Sequence, residues 1–292
     1  MSLLLQIFGL VLLVLGIGFG YWRWIKPYKD TLDLQGQGLL FLVVLMVMGG
    51  LIGSPFWWMD KALSFSWDLP TLASRMLAAA GWSFAVIGIL VLERPTYRRL
   101  RLVLILLFVY LVPLAVAAPL FHLDRFDPTS PITYAFFAIV VLMVVSTIWY
   151  LLRQPNIFPD GPEDLAPPST AVRGWFVIVA VIMALWGLAL VFTDNGPSDL
   201  IWVWPGDLLT SRLIGVMLLT IAAGAVYSRP ASGTARPMLA MMLVYGLGLS
   251  LASVWNAFAG KPVKVSYALV FGVMFLVSAV LLIRERSTAT QE

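Results

Sequence analysis

Of 292 residues, 61% are hydrophobic and only 12% are charged, and the mean hydropathy of +0.93 excludes a soluble globular domain, which carries about 25% charged residues. The net charge of +4 comes from bases at the ends of apolar runs, where orientation signals belong, and no nucleic-acid partner is expected. The lack of cysteine and the single histidine, His122, exclude disulfides, iron–sulfur clusters, thiol catalysis and multi-histidine metal sites built from this chain alone.

The apolar runs repeatedly reach the roughly 20 residues that cross a bilayer as a helix, whereas barrel strands would be about half that length and alternate. Nine spans are expected, at approximately 3–24, 38–56, 71–92, 102–121, 132–152, 174–193, 208–227, 237–259 and 264–283. Nothing basic precedes Leu3, and Arg23, Lys26 and Lys29 follow the first run. That order reads as a retained helix with its N-terminus outside, not as a signal peptide. Gly49, Gly50, Gly53 and Pro55 punctuate the end of the second span, and Trp57-Trp58-Met59-Asp60 reads as a short amphipathic stretch in the interface. Between Arg153 and Arg173, five prolines and Asp160, Glu163 and Asp164 predict an extended cytoplasmic connector without helix.

A pattern occurs twice. Trp67 precedes Ser74-Arg75 by the spacing with which Trp204 precedes Ser211-Arg212, and a long apolar segment follows each. Arg94-Pro95 then matches Arg229-Pro230, Tyr110 matches Tyr245, Tyr134 matches Tyr267, and Arg153 matches Arg284, with an offset that drifts only from 137 to 131 residues. The expected fold is therefore an all-α integral membrane protein with one N-terminal helix and two parallel four-helix repeats. Its divisions are residues 1–36 (helix and cytoplasmic loop), 37–153 (first repeat), 154–173 (Pro-rich linker), 174–286 (second repeat) and 287–292 (tail). Four crossings return the chain to the side it left, so the repeats should be related by an axis along the membrane normal. The Trp202-x-Trp204-Pro205 and Asp207-Leu208-x-Thr210-x-Arg212 texture resembles bacterial multi-pass membrane proteins in which a similar motif opens a helix. That resemblance implies no substrate or activity.

Lysine and arginine counts set the orientation. With the N-terminus outside, thirteen bases fall on the cytoplasmic side, including Arg94, Arg98, Arg99 and Arg101, against six outside, Lys61, Arg75, Arg125, Arg212, Lys261 and Lys264. The expectation is a multi-pass protein of the cytoplasmic membrane, N-terminus out and C-terminus in. The basic cluster at Arg94 to Arg101 reads first as an anchor to anionic lipid. Small-residue runs at Gly16 and Gly20, Gly49 and Gly53, Ala78 to Gly81, and Ala222 to Ala225 mark close helix contacts, with spans three and seven near the centre.

Arg75 and Arg212 are the sharpest candidates for a site. Each lies at the start of a span, where helix amides already favour an anion. Brought together, they could hold a small anion or a lipid headgroup between Trp67 and Trp204. The alternative is that each snorkels to lipid phosphate or pairs with Asp60, Asp68 or Asp207. Buried Tyr110, Tyr245 and Asn256 read as helix–helix hydrogen-bonding groups. His122, beside Asp124 and Asp127, reads as a solvated loop residue. No nucleotide-binding or hydrolytic motif is present. No cofactor and no enzymatic activity are expected. The leading reading is a non-enzymatic accessory or scaffold unit whose partners are the bilayer and a protein or second copy. The other is a transporter or a lipid- or anion-binding protein using Arg75 and Arg212.

Overall fold

The computed structural model describes residues 3–60, 70–126, 128–129, 131–153, 155–192, 208–261, 263 and 265–288. Among these residues the chain is helical, as it must be where no water is available to satisfy backbone N–H and C=O groups. The long helices are α1 (Leu3–Gly20), α2 (Leu34–Trp58), α3 (Thr71–Glu93), α4 (Tyr97–Phe121), α5 (Pro131–Leu152), α7 (Thr170–Phe192), α8 (Leu208–Ser228), α9 (Ser232–Phe258) and α10 (Val265–Thr288); α6 (Pro162–Leu165) is a single turn. Eight of them are long and apolar enough to cross a membrane, and α5 carries a shorter apolar stretch, Phe136–Leu152.

Local chemistry sets the ends. Asp33 caps α2 by accepting from the Gly36 N–H at 2.7 Å. The glycines and Pro55 do not end that helix. Pro55 forfeits one backbone bond, but its own carbonyl still accepts from Met59 N–H at 3.1 Å. Trp57 and Trp58 are therefore the last turn of α2, not a separate interfacial stretch. Asp60 follows with φ +56°, and Gly260 follows α9 with φ +67°. Both place a left-handed residue just past a helix end, a conformation that Asp tolerates and Gly favours.

The long helices pair as neighbours in sequence, α2 with α3, α4 with α5, α7 with α8 and α9 with α10. Two further contacts join them crosswise, α3 against α9 and α4 against α8. α3 and α8, the third and seventh expected spans, are the most buried of the membrane-length helices, but they pack chiefly on other helices, not on each other. Glycine permits the closest approaches. Gly50 of α2 lies against the Gly81 backbone of α3, and a Cβ on Gly187 of α7 would fall 2.7 Å from the Gly215 carbonyl oxygen of α8. Gly16 and Gly20 admit Met48 and Val44 of α2. Of the other glycines singled out in α2, Gly49 meets nothing and Gly53 only Trp57.

The linker is a strap, and it departs from the expected plain connector. It contains the turn α6 and binds both halves at one end of the bundle. Phe158 carbonyl accepts from Tyr97 N–H at 3.2 Å, and Ala166 carbonyl accepts from Ser232 N–H at 2.8 Å. Asp160 accepts from the Arg98 backbone N–H at 3.0 Å, supplying the start of α4 with a cap from outside the helix. Asp164, 1% exposed, accepts from Arg99 at 2.9 Å and lies 3.5 Å from Arg94. Glu163 also binds Arg94. Arg94, Arg98 and Arg99 of the expected lipid anchor are thus paired with carboxylates of the same chain, while Arg101 donates to the Tyr97 hydroxyl. The Glu163 bond raises the Arg94 pKa, opposed by burial and reinforced by the Asp164 charge. The Glu163 carboxyl is held below its ordinary range, first by its own backbone N–H and then by Arg94. At the same end Glu93 binds Arg23 and Trp24 Nε1–H, at 2.8 and 2.9 Å.

Candidate anion site at the arginine end of the bundle

Arg75 and Arg212 lie at the end opposite the strap. A small apolar cluster there joins α3, α4 and α8 through Leu77, Leu114, Leu209 and Leu213. Each arginine reaches across to the other half of the molecule. Arg75, 8% exposed, donates from Nη1 to Asn256 Oδ1 of α9 at 2.8 Å. Its Nη2 lies 3.6 Å from Asp60 Oδ2, and its guanidinium carbon is 5.3 Å from the Trp255 ring centre. Arg212, half-buried, meets the end of α4 in the same manner. Its Nη1 lies 2.7 Å from His122 Nε2, its Nε donates to the Val191 carbonyl at 3.4 Å, and it stands 5.2 Å from the Phe121 ring centre.

The device is the same on both sides: one arginine, one polar side chain and one aromatic ring near the end of the facing helix. The difference is charge. Arg75 has the Asp60 carboxylate, whereas among the described residues no ion pair engages Arg212. A guanidinium only donates, so in this contact His122 is the acceptor, at Nε2.

Arg212 also borders a cavity of about 270 Å³ between α4, α7 and α8. Its walls include Pro113, Ala117 and Phe121 of α4, Phe192 of α7 and Val216 of α8; Arg212 and Tyr110 are the two polar side chains on it. No family model, curated protein or solved structure matches the chain. Function is therefore read from this geometry. An apolar cavity with one convergent cation has the make-up of a ligand pocket, though it is slightly smaller than the roughly 300–1,000 Å³ usual for small molecules. Among the described residues no cluster of acidic, histidine or cysteine side chains could hold a metal.

The arginines are set in separate frames, with no partner in common among those described above. Arg212 lines the cavity and Arg75 does not. Trp67, Trp204, Asp68 and Asp207 lie outside the described residues. Asn256 is the helix–helix hydrogen-bonding group expected, with Arg75 as its donor. His122 is a correction. It is 5% exposed and in contact with Arg212, not a solvated loop residue. Its signal was available, since the Tyr110–Tyr245 offset aligns Phe121 with Asn256 and brings His122 one residue past that position.

Proposed function

We propose that this protein is a non-enzymatic, multi-pass protein of the cytoplasmic membrane that binds an anionic ligand on its outer side. Nine helices cross the bilayer, N-terminus out and C-terminus in. The two four-helix halves share one orientation, related by an axis along the membrane normal. The basic split of thirteen against six supports that orientation, and it puts the strap inside and the arginines outside. The crosswise contacts of α3 with α9 and of α4 with α8 support the twofold relation.

One observation carries the binding reading. Among the described residues no carboxylate pairs with Arg212, which borders an apolar cavity, while its counterpart Arg75 pairs with Asp60. Arg212 lies in the first turns of α8 and is half-buried, so an anion drawn to it forms charge-assisted hydrogen bonds partly shielded from water. Arg212 is the residue that binds, and Arg75 is structural. The test is titration of the protein in zwitterionic nanodiscs with an anionic naphthalene sulfonate fluorophore. Arg212→Gln should lose saturable binding, and Arg212→Lys should recover part of it, because lysine lacks the bidentate fork. Equal binding by wild type and Arg212→Gln would return the protein to the accessory or scaffold role.

A further inference from the structure

Building on the anion-binding reading, we infer that the ligand is a single-chain anionic amphiphile, a carboxylate or comparable small head on a hydrocarbon tail, taken from the outer leaflet. The cavity has one charged corner and an otherwise nearly unbroken hydrocarbon lining. A compact inorganic anion would use the corner and leave the rest empty. A neutral lipid would use the lining and leave the guanidinium without a counter-charge. Only a molecule with both parts satisfies both surfaces.

The dimensions agree. Along α4 the lining runs from Phe121 to Tyr110, which at 1.5 Å per residue is about 16 Å. That is roughly half of a 30 Å hydrocarbon core, the depth of one leaflet. The head sits beside Arg212 and Phe121, and the tail points towards Tyr110 near mid-bilayer. Phe121 and Phe192 line the cavity and are also 63% and 78% exposed. They stand at its rim, where a chain can pass sideways from the bilayer without crossing the polar surface. The deep wall is firm, because Leu114, Leu209 and Leu213 of the lining belong to the packed cluster with Leu77. A cavity of about 270 Å³ suits one acyl chain better than the two of a phospholipid.

The experiment is native mass spectrometry and calorimetry on the full chain in zwitterionic nanodiscs. The probes are straight-chain carboxylates from hexanoate to tetradecanoate, the matching alcohols, and inorganic phosphate. Wild type should bind one carboxylate per protein. Its affinity from water should rise about fourfold for each added methylene, in step with partition into empty nanodiscs because bilayer and cavity are similarly apolar, and should level off once the cavity is full while partition continues to rise. Arg212→Gln should lose at least tenfold for carboxylates and leave the alcohols unchanged. Ala117→Phe, which takes up cavity space away from the guanidinium, should move that levelling-off to shorter chains; Val216→Phe serves if Ala117→Phe does not fold. Charge-dependent binding that ignores chain length would overturn the amphiphile and leave the anion reading standing. Binding indifferent to Arg212 would overturn both.

Discussion

Replacing Asp164 by alanine removes the one buried carboxylate of the strap. Asp164 is 1% exposed and accepts from Arg99 at 2.9 Å, and Arg99 is itself only 12% exposed. Stripping one partner from a buried ion pair costs about 3–5 kcal/mol. Only part of that applies here, because Arg94, the second contact at 3.5 Å, is 43% exposed and keeps Glu163. The loss should be about 2–3 kcal/mol, which is about a 30- to 150-fold rise in the opening of the strap. Hydrogen exchange read by mass spectrometry reports it at two amides that the strap protects, Tyr97 and Ser232. The Lys261 amide at the opposite end, bonded to the Asn256 carbonyl at 3.0 Å, should be unchanged. Asp164→Asn keeps an acceptor for Arg99 and should fall between alanine and wild type. Unchanged exchange at Tyr97 and Ser232 would refute the strap as a structural tie. Equal acceleration at both ends would mean global destabilisation instead.

Three further outcomes follow from the same contacts. Gly187→Ala sets a Cβ 2.7 Å from the Gly215 carbonyl oxygen and should lower stability by about 1–3 kcal/mol, whereas Gly174→Ala, with nothing within 4 Å, should be neutral or gain up to about 1 kcal/mol; thermal unfolding in detergent compares them. Because the Glu163 pKa is lowered in the folded state, its contribution is present above the ordinary carboxylate range and lost as pH falls through the lowered value. The melting difference between wild type and Glu163→Gln should therefore be largest near neutral pH and vanish in acid; a difference that grows in acid would contradict the sign. Reporter fusions after Arg101 and after Asp199 should lie on opposite sides of the membrane, and a common side would overturn the topology.

Much of the fold is legible in the sequence, because a lipid-embedded backbone leaves helix as the solution for a long apolar run. The expected spans and the observed helices differ mainly at their ends, and for identifiable reasons. α4 begins at Tyr97 and not near 102, because Arg98 and Arg99 are paired with Asp160 and Asp164 of the strap. α9 begins at Ser232, since Pro237 falls in its second turn, where one missing N–H is tolerated. Hydropathy is one-dimensional and does not say which helix faces which. The crosswise packing and the Gly50–Gly81 contact therefore had no signature of their own, and the pairing of Arg212 with His122 had only the repeat offset that sets His122 beside the counterpart of Asn256. The site was half legible. The repeat singled out Arg75 and Arg212, but nothing in the motif distinguishes the arginine that has a carboxylate from the one that opens on a cavity.

The most direct test is photolabelling in native-like membranes with a carboxylate that carries a diazirine partway along its chain. Binding at Arg212 predicts adducts concentrated on the cavity wall, at Tyr110, Pro113, Ala117 and Val216. They should be displaced by the plain carboxylate and lost in Arg212→Gln. Adducts spread over the exposed apolar faces of α1 and α10, at Leu15 and Leu276 for example, with the same yield in wild type and Arg212→Gln, would contradict it.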